Sequence, residues 1–296
     1  MAGSALLFPG QGSHAADMDA TWRGTPLFER GLELLGYDPF ADLGMGTRVQ
    51  QPAIFLVCAC AWDSHDGGQE DKGGARLDGP TAVSAPARAA AGHSLGEYAA
   101  LHAAGALAFD DALLLVDERA AAMQDAAAAQ PGGMVAMLGG DSHAVTELAR
   151  GLGLTVANDN APGQVVLSGP LEMVDTAVEL ARNDAGARAM KLDVAGAFHS
   201  PLMEPAAERL RAALAATPIA EPAFPVWSNG SAAPFVDVRR ELAENLLKPV
   251  RWRETLLALR AHGVERFVEL GPGAVLTGMV KRTLAVEGTA AQRAVV

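Results

Sequence analysis

A five-residue turn, Gly92-His93-Ser94-Leu95-Gly96, says more about this chain than any other segment. The apolar stretch Ala89-Ala90-Ala91 runs into it, and an Ala/Leu-rich pattern of helical period follows to about Ala108. A chain that passes from strand to helix in so few residues must turn sharply. The two glycines supply backbone that clears its neighbours on either side of the serine. Such a turn holds the Ser94 hydroxyl clear of the sheet and aims the first N–H groups of the helix at it. The same pattern also arises by chance in a chain rich in alanine and glycine, so the serine needs a partner before it means chemistry.

The 296 residues exceed the usual size of a single core, which predicts one large unit with a smaller satellite. Half the residues are apolar and a fifth charged, a globular composition. The net charge of −12 argues against nucleic acid or an anionic membrane as partner. The longest apolar run, Pro52 to Trp62, is shorter than the roughly 18 residues of a membrane span. With no basic, apolar leader at the N-terminus, the expected location is cytoplasmic. Cys58 and Cys60 lie in that apolar run with no second Cys or His pair beside them, which predicts buried, inert thiols and no metal site.

Along the chain, Ala5-Leu6-Leu7-Phe8 reads as a strand broken by Pro9-Gly10-Gln11-Gly12-Ser13. Helical patterns cover Trp22 to Leu35, Gln51 to Trp62 and Phe109 to about Gln130, and residues 63 to 88 read as a polar loop. From Gly133 the texture changes. Strands at 133–138, 154–158, 164–168 and 187–193 alternate with helices at 142–151 and 171–183, the order of a ferredoxin-like unit. Beyond it, helices are expected from His199 to Ala216, at 241–247 and at 252–262. Strands are expected at 224–228 and 267–270, the last ending at Gly271-Pro272-Gly273. The expected fold class is α/β: a parallel-sheet core of α/β-hydrolase type (1–130 and 195–296) with an inserted ferredoxin-like small subdomain (131–194).

A serine is a weak nucleophile without a base, and the chain offers seven histidines. His65 falls in the polar loop, while His143 and His262 fall on exposed helical positions. His93 adjoins the serine in a turn whose neighbours point apart, and His102 lies two turns down the helix. His14 follows the glycine-rich break after the first strand. His199 differs, standing in Gly196-Ala197-Phe198-His199-Ser200-Pro201, where the chain returns from the small unit. A lone histidine at a loop–helix junction is more often structural than catalytic, so the residues alone leave the base open.

Taken together, these segments resemble the acyltransferase family typified by malonyl-CoA:acyl-carrier-protein transacylase. The resemblance covers nearly the whole chain in seven ordered blocks: Phe8 to Ser13, Gln51-Pro52-Ala53, Gly92 to Tyr98, Arg119 with Met123-Gln124, Asn158 to Gln164 with Ser168-Gly169, Ala197 to Met203, and Glu269 to Gly273. It implies that Ser94 takes the acyl group and that His199 serves as general base and then acid. The backbone N–H groups of Gln11 and Leu95 would form the oxyanion hole. The backbone carbonyl of Asn245 would orient His199, in a slot where the family often has Gln. Arg119 would fork onto the free carboxylate of a malonyl group, with Gln51 and Met123 beside the substrate. The bulk of Phe198 is typical of malonyl-selective members.

The resemblance further implies malonyl-CoA and an acyl carrier protein as partners, with no bound cofactor, and fatty-acid synthesis as the usual setting. Two positions depart from the family pattern: His14 where Gln is common, and Asp17 where Gly is common. Carrier proteins of this kind are acidic, so docking on this acidic chain needs a local positive surface. Arg188, Lys191, Lys248, Arg251, Arg253, Lys281 and Arg282 are the candidates. Three rivals stay open: a trans-acting polyketide- or malonate-pathway acyltransferase, a serine hydrolase or thioesterase, and a non-catalytic binding scaffold. No Asp or Glu stands in the hydrolase triad slot, which counts against the second.

Overall fold

The computed structural model describes residues 3–66, 87–285 and 290–293. The first part runs through β1 (Gly3–Phe8), α1 (Pro26–Leu35), α2 (Thr47–Asp66), β2 (Ala87–Gly92), α3 (Gly96–Ala103) and α4 (Phe109–Ala129). Next come β3 (Gly132–Gly139), α5 (Ser142–Gly151), β4 (Thr155–Ala161), β5 (Gln164–Pro170), α6 (Leu171–Ala185) and β6 (Ala187–Lys191). The chain then forms α7 (Glu204–Ala216), β7 (Val226–Ser228), β8 (Ala233–Pro234), α8 (Val238–Glu244), α9 (Trp252–Ala261), β9 (Val264–Glu269), α10 (Val275–Leu284) and β10 (Ala290–Arg293).

Two sheets organise these elements. The larger has the order β10-β9-β1-β2-β7-β8 and is parallel except where β8 turns back on β7. The central strand β1 and Ala89-Ala90-Ala91 of β2 are buried on both faces, so they read as near-continuous apolar runs. Leu6, Phe8 and Ala90 face one core, with Ile54, Leu101 and Leu113 from α2, α3 and α4. Ala5, Leu7 and Ala91 face a second core, with Leu256 of α9 and Val280 of α10. The result is an α/β fold with helices on both sides of a mainly parallel sheet.

The smaller sheet has the order β4-β5-β3-β6, and every pair is antiparallel. Strand alternation divides its residues cleanly. Val135, Met137 and Leu167 pack with residues of α5 and α6, while Met134, Ala136 and Val166 join the first large core. The edge strand β4 is also stitched to the main body: Val250 N–H donates to Ala157 O at 2.8 Å and Asp159 N–H to Val250 O at 3.0 Å.

Several expected boundaries move. The first helix begins at Pro26 rather than Trp22, because proline's fixed φ and missing N–H suit a first turn. α2 runs from Thr47 to Asp66, so residues 63–66 and His65 are helical, not loop, and Ala87-Arg88 belong to β2. The rest of the expected loop, 67 to 86, lies outside the described residues. The helix after the turn stops at Ala103, short of Ala108. His199 is no helix start: its φ is +56°, and helix α7 begins at Glu204 after a short 3-10 turn at Pro201–Met203. The helix expected at 241–247 is α8, three residues earlier. α10 and the strands β8 and β10 are additional to the sequence reading. Among the described residues no helix is long and apolar enough to cross a membrane.

Candidate active site

The turn at Ser94 is built by backbone crowding. A Cβ on Gly92 would sit 1.8 Å from the Gly96 carbonyl carbon, and one on Gly96 would sit 2.1 Å from Phe8 O. One on Gly10 would meet His93 O at 2.2 Å. The turn after β1 and the turn after β2 therefore interlock, and only glycine fits at the three contacts. Ser94 has a φ of +52°, a left-handed conformation that costs a non-glycine residue about 1–3 kcal/mol and is held by its surroundings. Asn229, just beyond β7, helps to hold it. Its side-chain oxygen accepts from Ser94 N–H at 2.6 Å, and its amide donates to Gly92 O at 2.7 Å.

His199 meets this serine. Its Nε2 lies 2.8 Å from Ser94 Oγ. On the far side of the ring, Nδ1 lies 2.8 Å from Asn245 O and 3.1 Å from Lys248 O. Carbonyls can only accept, so Nδ1 carries the proton, and Nε2 is left with a lone pair facing the serine hydroxyl. Burial, and secondarily the nearby Arg119 charge, lower the imidazole pKa to about 4, against the upward pull of the two carbonyls. The ring is thus neutral near pH 7 and able to accept a proton.

Arg119, on α4, reaches the same hydroxyl and is 2% exposed. Its Nη2 donates to Ser94 Oγ at 3.0 Å, and its Nη1 donates to Gln51 Oε1. Gln51 in turn donates to Met123 Sδ at 3.3 Å. The guanidinium lies 5.7 Å from the centre of the Tyr98 ring, and its Nε has no hydrogen-bond partner among the described residues. Burial lowers the Arg119 pKa from its ordinary value. No Asp or Glu forms a salt bridge with it among the described residues, so this is a buried cation with unused donor capacity.

The other named positions fall nearby or apart as follows. Phe198 is 5% exposed and belongs to the core that also holds Met123. The Gln11 side chain donates to Thr47 Oγ1 and Gln50 Oε1, both at 3.0 Å. His93 turns away from Ser94: its Nε2 lies 2.8 Å from Asn160 Oδ1, and its ring meets Trp252 edge-on. His14 and Asp17 are exposed. Cys58 and Cys60 are buried, and burial raises both thiols, Cys60 to about 12.

Most of the expected positive surface is already paired. Lys191 bonds Asp175 at 2.6 Å, Lys248 bonds Glu244 at 2.7 Å and Arg253 bonds Asp159 at 2.7 Å, while Arg251 pairs with Glu254. Arg282 donates to Gln164. Sequence reasoning overlooked Asn229 and the Lys248 carbonyl. An Asn before Gly after a strand reads as ordinary turn chemistry, and a carbonyl contact leaves no side-chain signal.

Comparison with known proteins gives this geometry a family. Residues 82–296 match the acyl transferase domain. The chain is 46% identical over 200 residues to the malonyl CoA-acyl carrier protein transacylase of Bacillus subtilis, covering 65% of this chain and 63% of that protein. It is 35% identical over 297 residues to the protein of the same name from Salmonella typhimurium, covering 94% of this chain and 92% of that one. A solved structure of a type II PKS acyl-carrier protein in complex with its malonyl-transacylase aligns with a TM-score of 0.83 at 33% identity, covering 99% of this chain and 96% of that chain. A strained serine, a neutral histidine and a buried arginine thus converge in a chain that belongs to the acyl transferase family, alongside the malonyl CoA-acyl carrier protein transacylases.

Proposed function

We propose that this chain transfers a malonyl group from malonyl-CoA to the phosphopantetheine thiol of an acyl carrier protein through an ester on Ser94. The observation that carries the reading is the placement of His199 Nε2 and Arg119 Nη2 on one serine hydroxyl, at 2.8 and 3.0 Å. His199 takes the Ser94 proton as the oxygen attacks the thioester carbonyl. It then gives that proton to the departing coenzyme A sulfur. In the second half the carrier thiol loses its proton to His199 and attacks the ester, and Ser94 leaves with the proton returned. The proton and electron-pair movements close over Ser94, His199 and the two thiols, with no bound cofactor in the cycle.

The N–H groups of Gln11 and Leu95 stabilise the tetrahedral oxyanion. The interlocked turns support this, since a Cβ on Gly10 would lie 3.6 Å from Leu95 N. Neither N–H meets an acceptor among the described residues. Asn245 O keeps His199 in the productive tautomer. Arg119 binds the malonyl carboxylate with two parallel hydrogen bonds, steadied by Gln51 and Met123, and leaving it unpaired penalises a neutral acyl group. Phe198 fills space beside the acyl chain. The smaller sheet with α5 and α6 is a ferredoxin-like subdomain (131–194) in a hydrolase-like core (1–130 and 195–296). The order β4-β5-β3-β6 with all pairs antiparallel supports that division. Chemistry on coenzyme A thioesters and a carrier protein fits a cytoplasmic location.

The test is intact-protein mass after brief mixing with malonyl-, acetyl- or methylmalonyl-CoA, with Ser94→Ala as control. A malonyl adduct on the wild type alone, discharged by holo carrier protein, is the expected result. Equal acetyl or methylmalonyl adducts overturn the malonyl assignment. Steady release of free acid without an adduct overturns the transferase.

A further inference from the structure

Three hydrogen bonds converge on one carboxyl outside the reacting pair. Glu97, on the first turn of α3, is 2% exposed. Its Oε1 accepts from Asn229 N–H at 2.7 Å and from Asn245 Nδ2 at 2.9 Å, while Oε2 lies 3.2 Å from the same Asn245 nitrogen. Asn245 Nδ2 also donates to Ser228 Oγ at 3.1 Å. No Lys or Arg forms a salt bridge with Glu97 among the described residues. An apolar side chain would fill this space without the cost of desolvating a carboxyl.

What marks the cluster is the second contact of each asparagine. The Asn229 side chain clamps Ser94 N–H and Gly92 O, the two ends of the strained turn. The Asn245 main-chain oxygen receives the His199 Nδ1 proton. One carboxyl is thus a single residue removed from both the nucleophile and the base. We infer that Glu97 is a positioning residue that holds Asn229 and Asn245, and through them sets the Ser94 turn and the His199 ring relative to each other. A hydrolase triad puts its acid directly against the histidine; here the acid acts one residue further back, through an amide on each side. Burial pushes the Glu97 carboxyl up to about 8, with the Asn229 and Asn245 hydrogen bonds pulling the other way. Protonation leaves Oε1 free to accept, so the network needs an acceptor oxygen rather than a charge.

The inference rests on the Ser94 acyl-enzyme reading and deepens it. Its test is the rate of Ser94 malonylation in wild type, Glu97→Gln, Glu97→Leu and Asn229→Ala, each first shown to be folded by thermal unfolding. Glu97→Gln keeps the acceptor oxygen and stays within about fivefold of wild type. Glu97→Leu and Asn229→Ala lose about 100-fold in kcat, the scale of an ångström-sized misplacement, with KM for malonyl-CoA within about threefold. Should Glu97→Leu fail to fold, Glu97→Met, close to Glu in length but without an acceptor oxygen, carries the test with the same expected loss. A folded Glu97→Leu or Asn229→Ala variant at the wild-type rate overturns the inference, as does a loss that appears only in KM or is equal in the Gln and Leu variants. A serine-directed fluorophosphonate probe is run in parallel. If the wild type reacts with the probe but forms no malonyl ester, the malonyl reading fails, while the ranking of the variants toward the probe still decides the positioning role.

Discussion

Replacing Arg119 with glutamine shifts the acid limb of serine acylation upward. Arg119 Nη2 and His199 Nε2 both bond Ser94 Oγ, so they are no more than about 6 Å apart. At an effective dielectric of about 20, a unit charge at that distance contributes about 2–3 kcal/mol against protonating the imidazole, or about two pKa units. Burial is the larger cause of the depressed value and survives the substitution. The base therefore moves up from about 4 by one to two units, and stays below its ordinary value. Below its pKa, His199 is protonated and cannot take the serine proton, so acylation falls on the acid side.

The assay is single-turnover acetylation of Ser94 by acetyl-CoA between pH 4 and 8, read by intact mass. The neutral acetyl group lets both proteins be compared on one donor, without the carboxylate that Arg119 is proposed to bind. A wild-type limb near 6.5 refutes the argument from burial, and an unmoved limb in Arg119→Gln refutes the charge coupling. Stability follows the same titration. The native ring stays neutral where the unfolded ring gains a proton, so this contribution is present above about 6.5 and is lost as pH falls toward 4.

Three further outcomes are expected. Phe198→Leu relieves the bulk beside the acyl chain and raises the ratio of methylmalonyl to malonyl adduct about tenfold, measured by competition of the two thioesters. Gly96→Ala drives a methyl into Phe8 O, a backbone atom that cannot step aside, and costs at least about 3 kcal/mol, seen as lost soluble yield or a lower denaturant midpoint. Asp141→Ala removes the cap that accepts from Ala144 N–H at 2.9 Å and lowers stability by about 1 kcal/mol, with the malonylation rate unchanged.

The serine turn was legible because everything it needs is local: an apolar strand, two glycines and a helix within one stretch. Strand alternation at β3 and β5 was legible for a similar reason, since it is written at a period of two. His199 could not be chosen from its own surroundings, and only the ordered blocks of the family resemblance assign it a role. Its left-handed backbone also hides the true start of α7 behind a run that has helical composition. Asn229 and Glu97 are harder still. Their contacts span 132 to 148 positions of chain, and nothing in the residues beside them foretells the burial that makes them matter. Leu276, Met279 and Val280 carry a helical spacing, but they follow a glycine-rich turn that reads as an ending.

The pairing of Val250 with β4 has a consequence for how this protein ages under stress. Asn245 and Lys248, whose carbonyls bond His199 Nδ1, stand just upstream of that seam, and the edge of the small sheet lies across it. Fraying of β4 loosens a segment whose carbonyls bond the His199 ring. The expected outcome is that mild heat or dilute urea lowers the malonylation rate before the global unfolding transition, with the two followed in parallel. Amide exchange at Val250 and Asp159 is expected to follow that loss more closely than global melting does.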